Sequence, residues 1–181
     1  SAMFVRHSPS AAIRKIAPDG TVTTVAGSGG TTDGVGSAAR FRMPWMLTID
    51  AHGVLWVIDV APDNYHSSLR KVLPDGTVTT VKTDWPSGQA GAPWVDKSGV
   101  LYFTSYPDNT ITKMTPDGTV TLLAGRPGEQ GAADGTGDAA RFNSPVGIVG
   151  DGAGTLYVSD AYNGTIRAIR CRAASPEAAT P

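Results

Sequence analysis

Two aspartate-containing loops are the segments whose residue types most suggest ion chemistry. Residues 33–36 (Asp-Gly-Val-Gly) and 134–137 (Asp-Gly-Thr-Gly) are near copies, and aspartate oxygens are ligands that Ca²⁺ prefers. A calcium loop of the EF-hand type also needs oxygen ligands at alternate positions and a bidentate acid at its end. Only the second copy offers a further carboxylate, Asp138, where the first has Ser37. Glycine supplies the positive φ of tight turns in any case, so we interpret both loops as structural and expect no bound metal or cofactor.

The nucleophilic and imidazole side chains form no recognised catalytic set. The sequence lacks a G-x-S-x-G segment. Its three histidines stand singly, without the spacing of metal ligands: His7, His52 and His66. Asp59 and Asp160 end strand-like segments, so we expect their carboxylates to accept backbone N–H groups of the turns that follow. Asn163 is expected to join Asp160 in forming its turn.

The composition fits one folded domain that is rich in turns. The 181 residues carry a net charge of −1, with 40% hydrophobic and 17% charged residues. These values argue against disorder, which needs low hydrophobicity and high charge, and against a nucleic-acid binder driven by bulk positive charge. No apolar run approaches the ~20 residues of a membrane span. A single cysteine, Cys171, excludes an internal disulfide.

Internal repeats supply the elements that position these residues. PDGTVTTV occurs at Pro18–Val25 and Pro74–Val81, and PDGTVTLL at Pro116–Leu123. Each copy follows an alternating segment of the IRK type, and upstream lie aromatic segments of the LYV type and Asp-x-x-Gly turns. Alternating, β-branched segments between Gly-containing turns predict short antiparallel strands, here called a, b, c and d in each unit. We count fourteen such strands and predict no helix longer than one turn.

The repeat unit resembles the NHL repeat. Pro145 to Ile148, followed by Asp151, Gly154, Leu156 to Asp160, Asn163 and Ile166-Arg167, matches the NHL pattern almost position by position. The resemblance extends from Met3 to about Arg172 and implies an all-β propeller of four-stranded blades. The implied single domain covers residues 3–172, with blades at about 3–27 (partial), 43–85, 90–125 and 145–172 (partial). Residues 1–2 are interpreted as a remnant of expression and 173–181 as a C-terminal tail.

A second period of two units is carried by a long connection between blades. Ser28–Arg42 is echoed by Arg126–Asn143, and the intervening connection lacks this insert. We expect Phe41 and Phe142 to plug the space between neighbouring blades. We expect Arg40 and Arg141 to pair with nearby carboxylates.

Three functions remain open for a chain of this kind. The NHL resemblance implies kinship with propeller lactonases and lyases that hold a cation in the central channel. Their channel positions correspond here to Met43–Trp45, Ala90–Ala92 and Asn143–Val146, which contain one Asn and no carboxylate or histidine. RNA binding would use the basic residues of strand c, such as Arg14, Arg70, Lys113 and Arg167, but we interpret these as a solvated face.

The favoured function is a non-enzymatic binding or scaffold module with a peptide or protein partner. Repeats build surfaces, and loops carry the exposed side chains that partners contact. The candidate rim residues are Asp33, Arg40, Arg42, Tyr65, Trp85, Arg126, Arg141 and Asn143.

The strand count also predicts an assembly. Fourteen strands make three and a half blades, and propellers typically have 4–8. A lone chain would expose the edge of strand c at Ile166–Ile169, which natural proteins protect. We expect a two-fold homodimer that closes a ring of six or eight blades. In the six-bladed version, strand d (Thr21–Val25) completes the last blade of the other copy. No signal peptide follows Met3, so a cytoplasmic location is expected if Met3 is the native start.

Overall fold

The structure is a computed structural model that describes residues 2–7, 10–61, 66–83 and 90–171. These residues form four antiparallel sheets. The first sheet has the order β1-β2-β3, and the second has the order β4-β8-β7-β6-β5. Their strands are β1 (Met3–His7), β2 (Ala12–Ile16), β3 (Val22–Ala26), β4 (Gly34–Val35), β5 (Pro44–Ile49), β6 (Leu55–Val60), β7 (Ser67–Val72) and β8 (Thr77–Lys82).

The third and fourth sheets continue the pattern. The third has the order β12-β11-β10-β9, and the fourth has the order β13-β14-β15. Their strands are β9 (Ala90–Val95), β10 (Leu101–Ser105), β11 (Thr110–Met114), β12 (Val120–Gly125), β13 (Pro145–Gly150), β14 (Thr155–Asp160) and β15 (Thr165–Arg170). The helices that lie wholly within the described residues are three-residue 3-10 turns at Gly36–Ala38, Gly137–Ala139 and Ala161–Asn163. The all-β prediction is confirmed.

One strand was missed by the sequence-based count of fourteen. The described residues form fifteen strands, because β4 adds a short fifth strand to the second sheet. Gly34 pairs with Val78 and Val35 with Thr77, so β4 lies against β8. A strand of two residues is too short to show an alternating pattern.

Side chains in the a–b turns fix the hairpins. Asp50 Oδ1 accepts the backbone N–H groups of His52 and Val54 at 2.8 and 3.0 Å. Asp96 and Asp151 cap their own turns in the same way. In the c–d turns, the Pro-Asp-Gly glycines have φ between +85° and +87°, which a residue with a Cβ adopts only at a cost. Both kinds of turn lie at one end of the sheets, so the b–c and d–a connections lie at the other.

The hydrophobic core consists of three clusters, one between each pair of neighbouring sheets. Residues of the first and second sheets share one cluster with Phe41, and residues of the third and fourth share another with Phe142. Both phenylalanines are buried, at 0% and 2% exposure, which confirms that they fill the space between neighbouring sheets. The middle cluster joins strands of the second and third sheets through Ile58, Leu69, Leu101 and Phe103.

The strands that begin each sheet contact one another. β1 packs against β5, β5 against β9, and β9 against β13. The sheets therefore stand side by side around a common axis, with these strands innermost. Among the described residues, no helix is long and apolar enough to cross a membrane.

Candidate binding rim

Two long connections dominate the end of the molecule opposite the hairpin turns. Rim loop 1 (residues 27–43) joins the first sheet to the second, and rim loop 2 (residues 126–144) joins the third to the fourth. Both fold back on themselves through equivalent backbone hydrogen bonds. Gly30 N–H donates to Phe41 O at 3.0 Å, and Gly131 N–H donates to Phe142 O at 2.9 Å.

A buried arginine fastens rim loop 1 to the second sheet. The side chain of Arg70, on β7, is 1% exposed and pairs with Asp59 at 3.3 Å and with Asp33 at 2.8 Å. Its guanidinium also donates to the backbone carbonyls of Arg40 and Thr32, at 3.1 and 3.3 Å. It therefore bonds to two points of the loop backbone and to one of its carboxylates. The prediction that Arg70 lies on a solvated face is wrong.

Asp59 lies at the centre of this arrangement. Its carboxylate accepts the backbone N–H groups of Arg42 and Met43, at 3.0 and 2.9 Å. These groups precede strand β5, because β5 pairs with β6 and brings the end of rim loop 1 beside the end of β6. The aspartate thus anchors the incoming loop. Its predicted bonds to the turn that follows it stay a prediction, because residues 62–65 of that turn lie outside the described residues.

The fourth sheet repeats the arrangement. Arg167, whose side chain is 13% exposed, pairs with Asp160 at 3.1 Å and with Asp134 at 2.5 Å. Asp160 accepts the N–H group of Asn143 at 2.7 Å, again from the residues before the first strand of the sheet. The predicted association of Asp160 with Asn163 is confirmed, since Asn163 Nδ2 donates to it at 2.8 Å. Arg167, like Arg70, is wrongly predicted as solvated.

The third sheet has neither the aspartate and arginine of the other two sheets nor a long loop before its first strand. Ser105 occupies the position of Asp59 and Asp160 on its strand, and Thr112 that of Arg70 and Arg167. A buried charge pair is costly to desolvate, and in this sheet there is no long loop whose hydrogen bonds would compensate that cost.

The two aspartates that pair with Arg70 have pKa values shifted in opposite directions. Burial raises the pKa of Asp59, against the opposing effect of the Arg42 and Met43 N–H groups and of the Arg70 charge. For Asp33, partial burial acts in the same direction. The N–H and hydroxyl of Thr80, with the charge of Arg70, outweigh that burial and hold the pKa of Asp33 below its usual value.

Three of the predicted rim residues are arginines whose side chains have partners within the rim loops. Arg141 donates to Glu129 Oε2 from Nη2 at 2.7 Å, which confirms its predicted pairing with a carboxylate. Arg126 contacts the other oxygen of Glu129 at 3.3 Å. In the described part of the chain, Arg40 donates to the Ser28 hydroxyl at 2.7 Å and to the Gly29 carbonyl, not to a carboxylate.

Of the remaining rim candidates, two lie within the described residues and two lie outside them. Arg42 is exposed, and its backbone is held by Asp59. Asn143 is half-buried, with its N–H bonded to Asp160 and its carbonyl to the N–H of Tyr162. Tyr65 and Trp85 lie outside the described residues.

Two tyrosines at this end were missed by the sequence analysis. Tyr162, in the b–c turn of the fourth sheet, is 80% exposed, and Tyr106, in the b–c turn of the third, is 38% exposed. The b–c turns themselves were predicted, and an aromatic residue within such a turn is the signal that could have found both. Among the residues described, no group of three or more His, Cys, Asp or Glu side chains is placed to hold a metal ion.

Comparison with solved structures identifies the architecture. The nidogen/laminin complex contains a chain that matches 93% of this one with a TM-score of 0.68 at 16% identity. A streptogramin B lyase matches 96% with a TM-score of 0.58 at 17% identity. The fold is that of a β-propeller. The chain spans 55% and 52% of the lengths of those two structures.

The sequence comparisons match short parts of much longer proteins. Teneurin-3 of Mus musculus is 27% identical over 199 residues, a match that covers 87% of this chain and 7% of that protein. Teneurin-3 of Danio rerio is 37% identical over 87 residues, which covers 40% of this chain and 3% of that protein. No protein-family profile matches the chain.

Proposed function

We propose that the chain is a binding module that engages a peptide or protein partner through the rim. The observation that carries the proposal is Tyr162, an aromatic side chain 80% exposed on a turn with fixed geometry. Its N–H is bonded to Asn143, and the neighbouring Asn163 is bonded to Asp160 and to Gly131 of rim loop 2. An exposed tyrosine on a rigid turn offers a large contact area at little entropic cost, as in interfaces where Tyr and Arg dominate the energy.

The charged residues of rim loop 2, which Asn163 joins to the turn of Tyr162 through Gly131, also support a protein partner. Rim loop 2 carries Arg126, whose side chain is 52% exposed, and Glu129, which is 49% exposed and bonds Arg141. Both signs of charge are therefore presented on a fixed loop, which suits a polar interface around an aromatic centre. The solved propellers at comparable TM-scores include a member of a protein complex and a lyase, so the fold itself is compatible with binding and with catalysis.

The test is selection of peptides from a random display library on the full chain, followed by measurement of affinity for rim variants. We expect Tyr162→Ala to weaken the selected peptides by at least about tenfold, the cost of a typical interface hot spot. Tyr157→Ala is the matched control, because Tyr157 is 43% exposed but lies within strand β14. Equal effects of the two variants, or no selected peptide, would refute the rim proposal.

A cation-dependent enzyme has a different signature. Stoichiometric zinc or calcium retained after dialysis against a weak chelator would overturn the non-enzymatic proposal. RNA binding would instead give retention on heparin that weakens steeply with salt.

We also propose that two copies close the ring. The first and fourth sheets each have three described strands, and the chain spans about half of the propeller chains it matches. Light scattering is expected to give twice the 18.7 kDa chain mass. A monomer at micromolar concentration would contradict this assembly.

A further inference from the structure

Rim loops 1 and 2 share one backbone arrangement around an arginine, so their side chains can be compared position by position. One parallel bridge in each loop fixes the alignment, joining Gly29 to Phe41 and Gln130 to Phe142. The residue before each bridge is Ser28 in rim loop 1 and Glu129 in rim loop 2. Ser28 therefore corresponds to Glu129, and Arg40 corresponds to Arg141.

The arginine of rim loop 2 is paired with a carboxylate of its own loop. Arg141 donates to Glu129 Oε2 from Nε at 3.1 Å and from Nη2 at 2.7 Å. One edge of the guanidinium thus holds one carboxylate, in a charge-assisted contact that fixes both side chains. With this partner in place, the side chain of Arg141 is 19% exposed.

The equivalent arginine of rim loop 1 has a hydroxyl where its counterpart has a carboxylate. Arg40 is exposed and donates from Nη1 to Ser28 Oγ at 2.7 Å. The Nε and Nη2 groups, which in Arg141 hold Glu129, have no acceptor among the described residues. Because the Ser28 oxygen accepts the bond from Arg40, its own O–H is left to donate.

The rest of rim loop 1 fixes the position of this guanidinium. The stem of Arg40 packs on Gly30, where a Cβ would lie 2.8 Å from the Arg40 Cδ. The Arg40 N–H donates to Thr32 O at 2.8 Å, and the Arg40 carbonyl accepts a bond from Arg70 Nη1 at 3.1 Å. A group that is already held in place loses little freedom when a ligand binds, which favours affinity.

The charges of rim loop 1 favour an anionic ligand. Arg42 is exposed, and its guanidinium has no hydrogen-bond or ion-pair partner in the part of the chain that the structure describes. Asp33 is the one carboxylate in the sequence of residues 27–43, and it is bonded to Arg70 and Thr80. Two positive groups without a free carboxylate beside them in the loop attract acidic side chains and repel basic ones.

We infer that rim loop 1 binds an aspartate or glutamate side chain of a protein partner, held on Arg40 as Glu129 is held on Arg141. The bound carboxylate accepts bonds from Nε and Nη2 of Arg40 and from the Ser28 hydroxyl. This inference rests on the proposed function, because it names the chemistry by which the partner contacts the rim.

The first experiment asks whether Arg40 can hold a carboxylate when no partner is present. Ser28→Glu supplies from the loop itself the group that rim loop 2 already has. Carbon-13 NMR should give the introduced carboxyl group a pKa below its usual value, because the Arg40 charge stabilises the ionised form. Adding Arg40→Gln should return that pKa towards its usual value, whereas adding Lys97→Gln should leave it low. Lys97 is an exposed residue of an a–b turn, at the opposite end of the molecule.

The second experiment examines the partner. Peptides selected from a random display library on the full chain are measured by fluorescence anisotropy, and we expect Asp or Glu at a recurrent position. Arg40→Gln should weaken these peptides about tenfold, a typical loss for hydrogen bonds to a charged group. Ser28→Glu should weaken them at least as much, because its own carboxylate occupies Arg40. Lys97→Gln should leave their affinity unchanged, and circular dichroism checks that each variant is folded.

Two results would overturn the inference. One is an introduced carboxyl group in Ser28→Glu whose pKa is not lowered, or is lowered equally with and without Arg40. The other is a set of peptides with no recurrent acidic residue, or with equal sensitivity to Arg40→Gln and Lys97→Gln. Peptides that depend on Tyr162 and not on Arg40 would refute this inference and leave the proposed function intact. A library that yields no peptide would refute both.

Discussion

Replacement of Arg70 by leucine tests whether the charge cluster holds rim loop 1 in place. Leucine keeps part of the apolar stem and removes the charge that faces Asp59, whose side chain is 3% exposed. Breaking a buried ion pair by removing one partner typically costs about 3–5 kcal/mol, because the remaining charge stays buried. Two backbone N–H groups still reach Asp59, so we expect the lower end, about 3 kcal/mol.

The assay is thermal unfolding followed by tryptophan fluorescence. At roughly 2–4 °C per kcal/mol for a domain of this size, the melting temperature should fall by about 10 °C. Arg126→Leu is the control, since Arg126 and Glu129 are half exposed and such surface pairs contribute about 0–1 kcal/mol. Equal losses for the two variants would refute the role given to the buried cluster.

The same variant has a defined pH dependence. Burial already raises the pKa of Asp59, and loss of the Arg70 charge raises it further. The folded variant then binds a proton at a higher pH than its unfolded chain does, so folding becomes more favourable as the pH falls. The penalty of Arg70→Leu should therefore be fully present at neutral pH and shrink as the pH falls through the raised pKa. A penalty that grows on acidification would contradict this account.

Two further predictions concern the glycine at the end of β12 and the aspartate that bonds Thr80. Gly125 has φ +89°, and a Cβ there would lie 2.4 Å from the Asn109 carbonyl oxygen, so Gly125→Ala should lower the urea midpoint much more than Gly118→Ala. Gly118 has a similar φ of +87° but open space around it, and its replacement should cost about 1 kcal/mol. Thr80→Val removes a hydroxyl donor to Asp33 and should raise the pKa of Asp33, measured by carbon-13 NMR of the carboxyl. That aspartate stabilises the fold above its unfolded pKa and loses this effect as the pH falls through the folded value, so the variant should show a smaller acid-induced loss of stability.

The sequence predicted features that depend on local spacing. The predicted Asp-x-x-Gly and Pro-Asp-Gly turns are confirmed. They were predictable because their hydrogen bonds join residues only two to four positions apart. The pairing of Asp160 with Asn163, three positions apart, is confirmed for the same reason. The positions of Phe41 and Phe142 are also predicted correctly. A large apolar side chain in a polar loop is stabilised by burial, and the space between neighbouring sheets is the apolar region that the loop can reach.

The errors arise where partners are distant in the chain. Arg70 is separated from Asp33 by 37 residues, and alternation along a strand does not reveal a carboxylate that a loop brings from elsewhere. The third unit, however, lacks the aspartate, the arginine and the long loop at the same time. That joint absence was visible in the sequence and, interpreted as physical coupling, would have predicted the cluster.

The uneven placement of the rim loops has a consequence for cooperative unfolding. Each loop leaves one sheet and is fastened by an arginine to the next, which couples the first sheet to the second and the third to the fourth. In the described residues, the second and third sheets meet through the cluster around Phe103, with no equivalent arginine bonded to a loop. Regions of a protein open in cooperative units bounded by their weakest contacts. The boundary between the second and third sheets should therefore exchange its amide hydrogens first, and the pair of sheets, not the single sheet, should be the unit of opening.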